Sequence, residues 1–270
     1  LLPGVIDAQV HFREPGMEHK GNLVTEPAAA VAGGVTSFLD MPNTKPPALD
    51  AATLEDKYRR AAGRSRANYG FYFGASNDNL EEIRRIDPKK TPGLKIFMGA
   101  STGNMLVDDP QVLEGMFADC PTPIITHCED TPMIEAELAK ARAIYGEDIP
   151  VDLHGEIRSR AACIKSTELA ISMAKRFDSS LHVLHISTAD ELALFQPGPI
   201  MHKRITAETC VHFLHFARED YARLGNLIKC NPAIKEASDR AALLRAVAED
   251  RIDVLATDHA PHTWDEKQQK

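Results

Sequence analysis

The chain has 270 residues, 43% of them hydrophobic and 26% charged, so it can bury a full core and is not a disordered polypeptide. Its 31 basic and 39 acidic residues give a net charge of −8 without any basic block, which argues against nucleic acid as a partner. No apolar run is long enough to span a membrane, and the five cysteines form no CxxC pair, so we expect reduced thiols in a cytoplasmic protein.

Short β-branched or apolar runs alternate with longer helix-patterned stretches along the chain. The candidate strands are Val5–His11, Thr36–Met41, Asn68–Phe73, Leu94–Phe97, Pro123–His127, His182–His185, Arg204–Glu208 and Val254–Thr257. The candidate helices lie near Glu26–Ala32, Thr53–Arg64, Leu80–Ile86, Pro110–Phe117, Ile134–Ile144, Ile157–Arg176, Ala189–Leu194 and Asp239–Ala248.

This alternation predicts a parallel sheet with crossover helices. Eight strand–helix pairs in this length predict an α/β fold of the (β/α)8 TIM-barrel type, with one domain over residues 1–270. A doubly wound open sheet is the alternative. Its nucleotide-binding form is disfavoured, because no GxGxxG or GxxxxGK[ST] turn follows the first strand.

Potential metal ligands recur at one predicted end of several strands, which is where the active site of a barrel lies. His11 and Arg13 come at the end of the first candidate strand, Asn43 follows the second, Lys95 lies in the fourth, His127 closes the fifth, His185 closes the sixth, and Asp258 follows the eighth. A random scatter of eleven histidines would not produce this pattern, so the residues predict a metal site.

Imidazole and carboxylate ligands together suit zinc or a similar divalent ion. A catalytic site must leave a position open for water, and Asp258 could accept the proton of that water. Lys95 could not ligate a cation as an ammonium group, but a neutral lysine can add carbon dioxide. The resulting carbamate has two oxygens that can bridge a pair of metals.

Each of these residues also has an ordinary structural interpretation. Arg13 with Glu14 could be a surface ion pair, Lys95 a lysine that reaches a carboxylate, and Asp258 a helix N-cap. Only the joint pattern favours a site. For six other histidines we keep the structural interpretation: His19, His154, His182, His202, His212 and His215.

Six segments resemble the motifs of dihydroorotases, in the order in which that family has them and over almost the whole chain. VIDAQVHFREPG at Val5–Gly16 is similar to the family's D-x-H-x-H-x-R signature, and ATDHAPH at Ala256–His262 is equally specific. The other four are MPNT at Met41–Thr44, GLKIF at Gly93–Phe97, THCE at Thr126–Glu129 and HIST at His185–Thr188.

The resemblance implies a metal-dependent amidohydrolase barrel that interconverts N-carbamoyl-L-aspartate and L-dihydroorotate in pyrimidine biosynthesis. It implies one or two zinc ions, a carboxylated Lys95, and a homodimer, which is common in the family. The implied metal ligands are His11, Lys95, His127, His185 and Asp258, with Asp258 also the general acid and base. The implied substrate contacts are Arg13, Asn43, His262 and, in the segment KCNP, Asn231. Many family members add a small β-sandwich from both termini, so we expect this chain to be cut at both ends.

The departure from the family is Gln9, which stands where the signature has its first histidine. Period-two alternation puts Gln9 and His11 on the same face of the strand. A glutamine oxygen is a poor zinc ligand beside imidazole, so we expect one firmly held metal.

Two other functions stay open. One is a related cyclic amidase: a hydantoinase, dihydropyrimidinase or allantoinase. Arg13 and Asn43 favour dihydroorotase over these, because they suit a ring carboxylate. The other is an inactive scaffold subunit for aspartate transcarbamoylase, which Gln9 alone supports.

Overall fold

The computed structural model describes residues 1–99 and 103–269. The strands are β1 (Val5–Val10), β2 (Val35–Asp40), β3 (Asn68–Phe71), β4 (Phe73–Gly74), β5 (Leu94–Phe97), β6 (Ile124–His127), β7 (Leu181–Val183), β8 (Ile205–Cys210) and β9 (Val254–Ala256). The α-helices are α1 (Thr25–Ala32), α2 (Ala51–Ala61), α3 (Leu80–Arg84), α4 (Pro110–Asp119), α5 (Thr131–Tyr145), α6 (His154–Ile157), α7 (Arg160–Phe177), α8 (Tyr221–Leu224), α9 (Ala237–Ala248) and α10 (Trp264–Gln268). Short 3-10 helices cover Gly103–Met105, Val151–Leu153, Glu191–Leu194, Ile200–His202, Arg218–Asp220 and Gly225–Ile228.

Every predicted strand is present, and the third is divided into β3 and β4. The predicted helix Ile157–Arg176 corresponds to α7, which begins later, at Arg160, after the cap Ser159, whose side chain accepts the Ala162 N–H; Ile157 is the last residue of the short helix α6. The predicted α-helix Ala189–Leu194 is wrong, because that segment contains only the 3-10 helix Glu191–Leu194. The Thr188 hydroxyl donates to Glu191 and the Ala189 N–H donates to Asp239, and these hydrogen bonds hold the turn in place of a regular helix start.

The chain divides into two compact units. Of the described residues, the first unit has 1–96, 103–125 and 256–263, and the second has 97–99, 126–255 and 264–269. In the first unit β1, β2 and β3 form a parallel sheet with β2 in the middle. Strand β4 pairs in parallel with β5, with Gly74 opposite Lys95.

Apolar packing and one buried ion pair fix the end of β1 in the first unit. The rings of Phe12 and Phe38 are buried with centroids 4.5 Å apart. The Asp40 carboxylate accepts the Phe12 N–H at 2.8 Å and pairs with Lys57 Nζ at 2.7 Å. Because both charged side chains are fully buried, loss of either partner would cost about 3–5 kcal/mol. These contacts set the backbone between His11 and Arg13.

In the second unit β7 and β8 are parallel, with Leu181 opposite Ile205. Beyond the strand ends the ladder continues through the Leu184 N–H to the Thr126 carbonyl at 3.1 Å and the Ile186 N–H to the Glu208 carbonyl at 2.7 Å. These bonds run on both sides of His185 and hold its backbone.

No helix among the described residues has the length and apolar character needed to cross a membrane. The five cysteines all lie among the described residues and form no disulfide there, and Cys128, Cys163 and Cys210 are buried.

Candidate functional site

The first unit brings His11 together with Asn43 and Asp258. His11 Nδ1 lies 2.8 Å from Asn43 Oδ1, and its Nε2 lies 3.1 Å from Asp258 Oδ1. The amide oxygen can only accept a hydrogen bond, so Nδ1 carries the proton that it donates to Asn43. In the neutral ring Nε2 then has its lone pair towards an anionic oxygen, and a proton or a cation must lie between these two atoms.

Gln9 contacts the same carboxylate as a donor. Its side-chain Nε2 donates to Asp258 Oδ1 at 3.0 Å, and the residue is almost fully buried. The prediction that Gln9 and His11 lie on the same face is therefore confirmed, because both side chains reach one oxygen of Asp258. Gln9 presents an N–H group to that oxygen and acts as a hydrogen-bond donor there.

Asp7, two residues before Gln9, holds the segment that carries Asp258. Its carboxylate accepts the Thr257 hydroxyl at 2.6 Å and the Thr257 N–H at 3.2 Å, together with the Gln9 N–H at 3.2 Å. Burial raises the pKa of Asp7, and these hydrogen bonds oppose the rise. Asp258 itself has φ 48°, in the left-handed region, so the Asp7 contacts support a backbone conformation that is otherwise unfavourable.

Arg13 and His262 also lie together in the first unit. Arg13 is buried and adopts φ 69°. Its Nε donates to the Pro261 carbonyl at 3.1 Å, and its Nη2 lies 3.2 Å from His262 Nε2. The neighbouring Glu14 does not lie at the surface, as a surface ion pair with Arg13 would require. Its carboxylate is buried and accepts hydrogen bonds from Arg64 and from the Leu23 N–H. These contacts fix the position of the Arg13 guanidinium.

Lys95 is fully buried in β5 of the first unit, opposite Gly74 on β4. A buried ammonium is costly unless it is paired, so burial suits either a paired cation or the carbamate that the sequence predicts. The carbamate stays a prediction.

In the second unit His127 and His185 face each other. His127 Nδ1 lies 2.9 Å from His185 Nε2, and the two rings meet edge to face at 4.6 Å. His127 Nε2 lies 2.8 Å from Glu129 Oε2, which also accepts a hydrogen bond from Arg158 Nη1. Burial alone would raise the pKa of Glu129, but the hydrogen bond from His127 and the nearby positive charges lower it overall. An ionised Glu129 only accepts, so His127 Nε2 carries a proton and Nδ1 faces His185.

Asn231 pairs with His154 in the second unit, at 3.1 Å from Oδ1 to Nε2. The same His154 nitrogen lies 2.9 Å from the Cys230 carbonyl oxygen. Burial and the charges of Arg158 and Lys229 lower the pKa of His154 to about 4, so its ring is neutral and donates to both oxygens. Asn231 is exposed, and its role as a substrate contact stays a prediction.

The described residues contain no group of three or more His, Cys, Asp or Glu side chains gathered as a metal cage. Each unit instead contains one pair of side chains whose spacing can be compared with that of two zinc ligands. Two ligands of a tetrahedral zinc at about 2.0–2.1 Å lie about 3.3 Å apart. The His11–Asp258 separation of 3.1 Å and the His127–His185 separation of 2.9 Å are both close to that value. The chemistry of each pair fits a divalent ion.

Three residues that contact these pairs or the segments that carry them were not predicted from the sequence: Asp7, Glu129 and Arg158. Asp7 could have been found, because it precedes Gln9 and His11 at the same two-residue spacing. Glu129 lies in the THCE segment, but nothing in the segment indicates that it contacts His127. Nothing in the sequence indicates that Arg158 contacts Glu129, because the two residues are 29 positions apart.

Comparison with known proteins shows what the chain is similar to. A model of the amidohydrolase family matches residues 1–265. An allantoinase of Streptomyces avermitilis is 32% identical over 99% of this chain and 60% of its own length. A dihydroorotase of Methanosarcina mazei is 31% identical over 98% of this chain and 59% of its own. The chain therefore spans about three-fifths of the length of these relatives.

Among solved structures, an L-hydantoinase (dihydropyrimidinase) from Arthrobacter aurescens superposes with a TM-score of 0.91 at 25% identity, over 98% of this chain and 60% of that one. This likeness and the family match confirm the predicted fold class, an α/β TIM-type (β/α)8 barrel of the amidohydrolase kind.

The geometry around Gln9 leads to a prediction about metal content. We expect the full-length protein to hold about one zinc per chain and a Gln9→His variant to hold about two, because the imidazole would replace an N–H donor by a ligand. Zinc is measured by mass spectrometry after dialysis against a weak chelator. Gln9→Leu is the matched control, since it removes the bond to Asp258 without adding a ligand, and its zinc content should not rise. Equal zinc content in Gln9→His and wild type would contradict the interpretation of Gln9.

Proposed function

The chain belongs to the amidohydrolase family, and from that premise we propose that it is the catalytic barrel of a zinc-dependent dihydroorotase. The reaction interconverts L-dihydroorotate and N-carbamoyl-L-aspartate in pyrimidine biosynthesis. The observation that carries the proposal is Arg13, a buried guanidinium fixed beside His262 and two residues from His11. Dihydroorotate has a ring carboxylate that matches such a cation, whereas hydantoin and allantoin are rings without a carboxylate.

We further propose that residues 1–270 act as one amidohydrolase domain. The proposed metal ligands are His11, Lys95, His127, His185 and Asp258. The motifs support this set, and the pairs His11–Asp258 and His127–His185 support it within each unit. When bound, the metal lowers the pKa of a water ligand and polarises the amide carbonyl as a Lewis acid. The cytoplasmic location and the homodimer stay predictions.

Asp258 is the proposed general base and acid. It takes a proton from the attacking water and delivers it to the ring nitrogen as the amide bond breaks, and it accepts the amide proton in the direction of cyclisation. Because Oδ1 accepts a hydrogen bond from Gln9, we assign the proton transfer to Oδ2. Gln9 thereby orients the carboxylate while its other oxygen exchanges the proton.

Four side chains are proposed to bind the substrate. Arg13 presents parallel N–H donors to the carboxylate, and His262 keeps the guanidinium in place. Asn43 uses its carbonyl oxygen on His11, which leaves its amide N–H groups as the donors for the substrate. Asn231, oriented by His154, is the fourth.

Allantoinase is the second candidate, because a relative with that name is as similar in sequence as the dihydroorotases. An inactive scaffold for aspartate transcarbamoylase is the third, and Gln9 supports it. Against the scaffold stand His11, His127, His185 and Asp258, whose geometry suits metal binding and would serve no purpose in an inert subunit.

The direct test is hydrolysis of L-dihydroorotate, allantoin and hydantoin by the full-length, zinc-supplied protein. We expect turnover of dihydroorotate and at least about 100-fold lower kcat/KM for the two rings without a carboxylate. Preferred turnover of allantoin would replace the proposal by the second candidate. A folded sample that hydrolyses none of the three would favour the scaffold.

Replacement of Arg13 by methionine tests the proposed carboxylate contact. We expect KM for dihydroorotate to rise about 10- to 100-fold, because the loss of a charge-assisted pair costs roughly 1.5–3 kcal/mol. The melting temperature, followed by circular dichroism, should change little by comparison. Arg64→Met, which removes a different guanidinium from the neighbouring Glu14, is the control and should leave KM unchanged. Unchanged affinity in Arg13→Met would remove the basis for dihydroorotase.

Asp258→Asn tests the proton transfer. An amide cannot accept the proton, so we expect kcat to fall by about 100- to 10,000-fold, while zinc remains bound through the other ligands. Stopped assays of both reaction directions, with zinc content measured in the same samples, separate loss of catalysis from loss of metal. Near-normal kcat with metal bound would show that another group transfers the proton.

A further inference from the structure

In the second unit the buried carboxylate of Glu129 contacts His127, and the Arg158 guanidinium contacts the same carboxylate. We propose that Glu129 and Arg158 are positioning residues that hold His127 in the tautomer with its proton on Nε2, so that Nδ1 is the nitrogen offered to a metal. The role of Nδ1 as a ligand rests on the proposed function, but the tautomer does not. Nothing in the sequence motifs assigns either residue a part in the site.

The geometry restricts His127 to this tautomer. Glu129 Oε2 is 2.8 Å from His127 Nε2 and accepts from Arg158 Nη1 as well. With a guanidinium on the same oxygen, the carboxylate has no proton to give to the ring, so the proton of that hydrogen bond belongs to Nε2. The lone pair of the neutral imidazole is then on Nδ1, the atom that lies 2.9 Å from His185 Nε2.

The burial of Glu129 directs one of its oxygens to His127. The side chain is fully buried, and its Oε1 accepts no hydrogen bond from the described residues. Burial of a carboxylate with one oxygen unsatisfied costs free energy. The oxygen that does have partners is Oε2, which contacts both His127 and Arg158, so the carboxylate is oriented towards the imidazole.

Arg158 reaches Glu129 from a short segment between two helices. It lies between α6 and the cap of α7, next to Ser159, whose side chain accepts the Ala162 N–H. The interruption between these two helices directs the guanidinium to Glu129, where it is largely buried. The sequence predicts a helix from Ile157 onwards, whereas the structure leaves Arg158 outside both helices.

The test compares two substitutions at Glu129 in the full-length, metal-free protein. Glu129→Leu removes the acceptor, and Glu129→Gln keeps an acceptor oxygen but removes the charge. ¹⁵N spectra of histidine-labelled protein report the tautomer, with the His127 signals assigned by their absence from a His127→Asn sample. We expect the Nε2–H signature in wild type and in Glu129→Gln, and its loss in Glu129→Leu.

Zinc affinity, measured by competition with a chelating dye, is the second readout. We expect it to fall about 100-fold in Glu129→Leu and about 10-fold in Glu129→Gln, the range found when partners behind a ligating histidine are removed. Asp253→Asn is the matched control: it removes another buried carboxylate of this unit, paired with Lys203, and should change neither readout.

Wild-type tautomer and wild-type zinc affinity in Glu129→Leu would overturn the proposal. If that variant does not fold, wild-type zinc affinity in Glu129→Gln would overturn it instead. Both readouts are taken without substrate, so they are independent of the choice of dihydroorotate. A shifted tautomer in a protein that hydrolyses no dihydroorotate would keep the positioning role and reject the substrate.

Discussion

An imidazole has two ring nitrogens, and the group that occupies one of them decides what the other can do. This constraint applies to one histidine in each unit. Asn43 accepts from His11 Nδ1 and leaves Nε2 towards Asp258, whereas Glu129 accepts from His127 Nε2 and leaves Nδ1 towards His185. The acceptors differ in charge: a neutral amide supports one histidine and a carboxylate supports the other. The two histidines therefore differ in the nitrogen that is left for a further contact and in the charge of the group that accepts from the other nitrogen.

Gln9 reduces the need for a cation beside the Asp258 carboxylate, because it donates a hydrogen bond to it. A histidine at this position would offer a lone pair, and two lone pairs facing a carboxylate are stable only with a cation among them. The Gln9 amide instead donates an N–H to Asp258 Oδ1, the oxygen that also faces His11 Nε2. This hydrogen bond orients the carboxylate without a second metal, which is compatible with the proposed role of Asp258 as general base. It also explains why Gln9 alone is weak support for an inactive scaffold.

The strands and several site residues could be predicted, because alternation and strand-end position are local in sequence. Gln9 and His11 share a face of β1, and both reach Asp258, as that spacing implies. The contacts that orient the histidines could not be predicted in the same way. Arg158, which contacts Glu129, lies between the end of α6 and the cap of α7, whereas the sequence predicts a helix from Ile157 onwards, and helical periodicity does not reveal this interruption. The 3-10 turn at Glu191–Leu194 likewise follows from side-chain hydrogen bonds and not from apolar spacing.

Sequence similarity alone does not select the substrate, since relatives named allantoinase and dihydroorotase are equally similar to this chain. The shared barrel and metal chemistry act on the amide bond, which all these rings possess. Discrimination must come from groups that contact the part of the ring that differs. In the proposed function Arg13 is such a group, because its left-handed backbone and its bonds to Pro261 and His262 fix the guanidinium before any ligand binds. A positioned cation loses little entropy when it pairs with a carboxylate, and it gains nothing comparable from a ring without one. These contacts are the reason for proposing dihydroorotate over its neutral analogues.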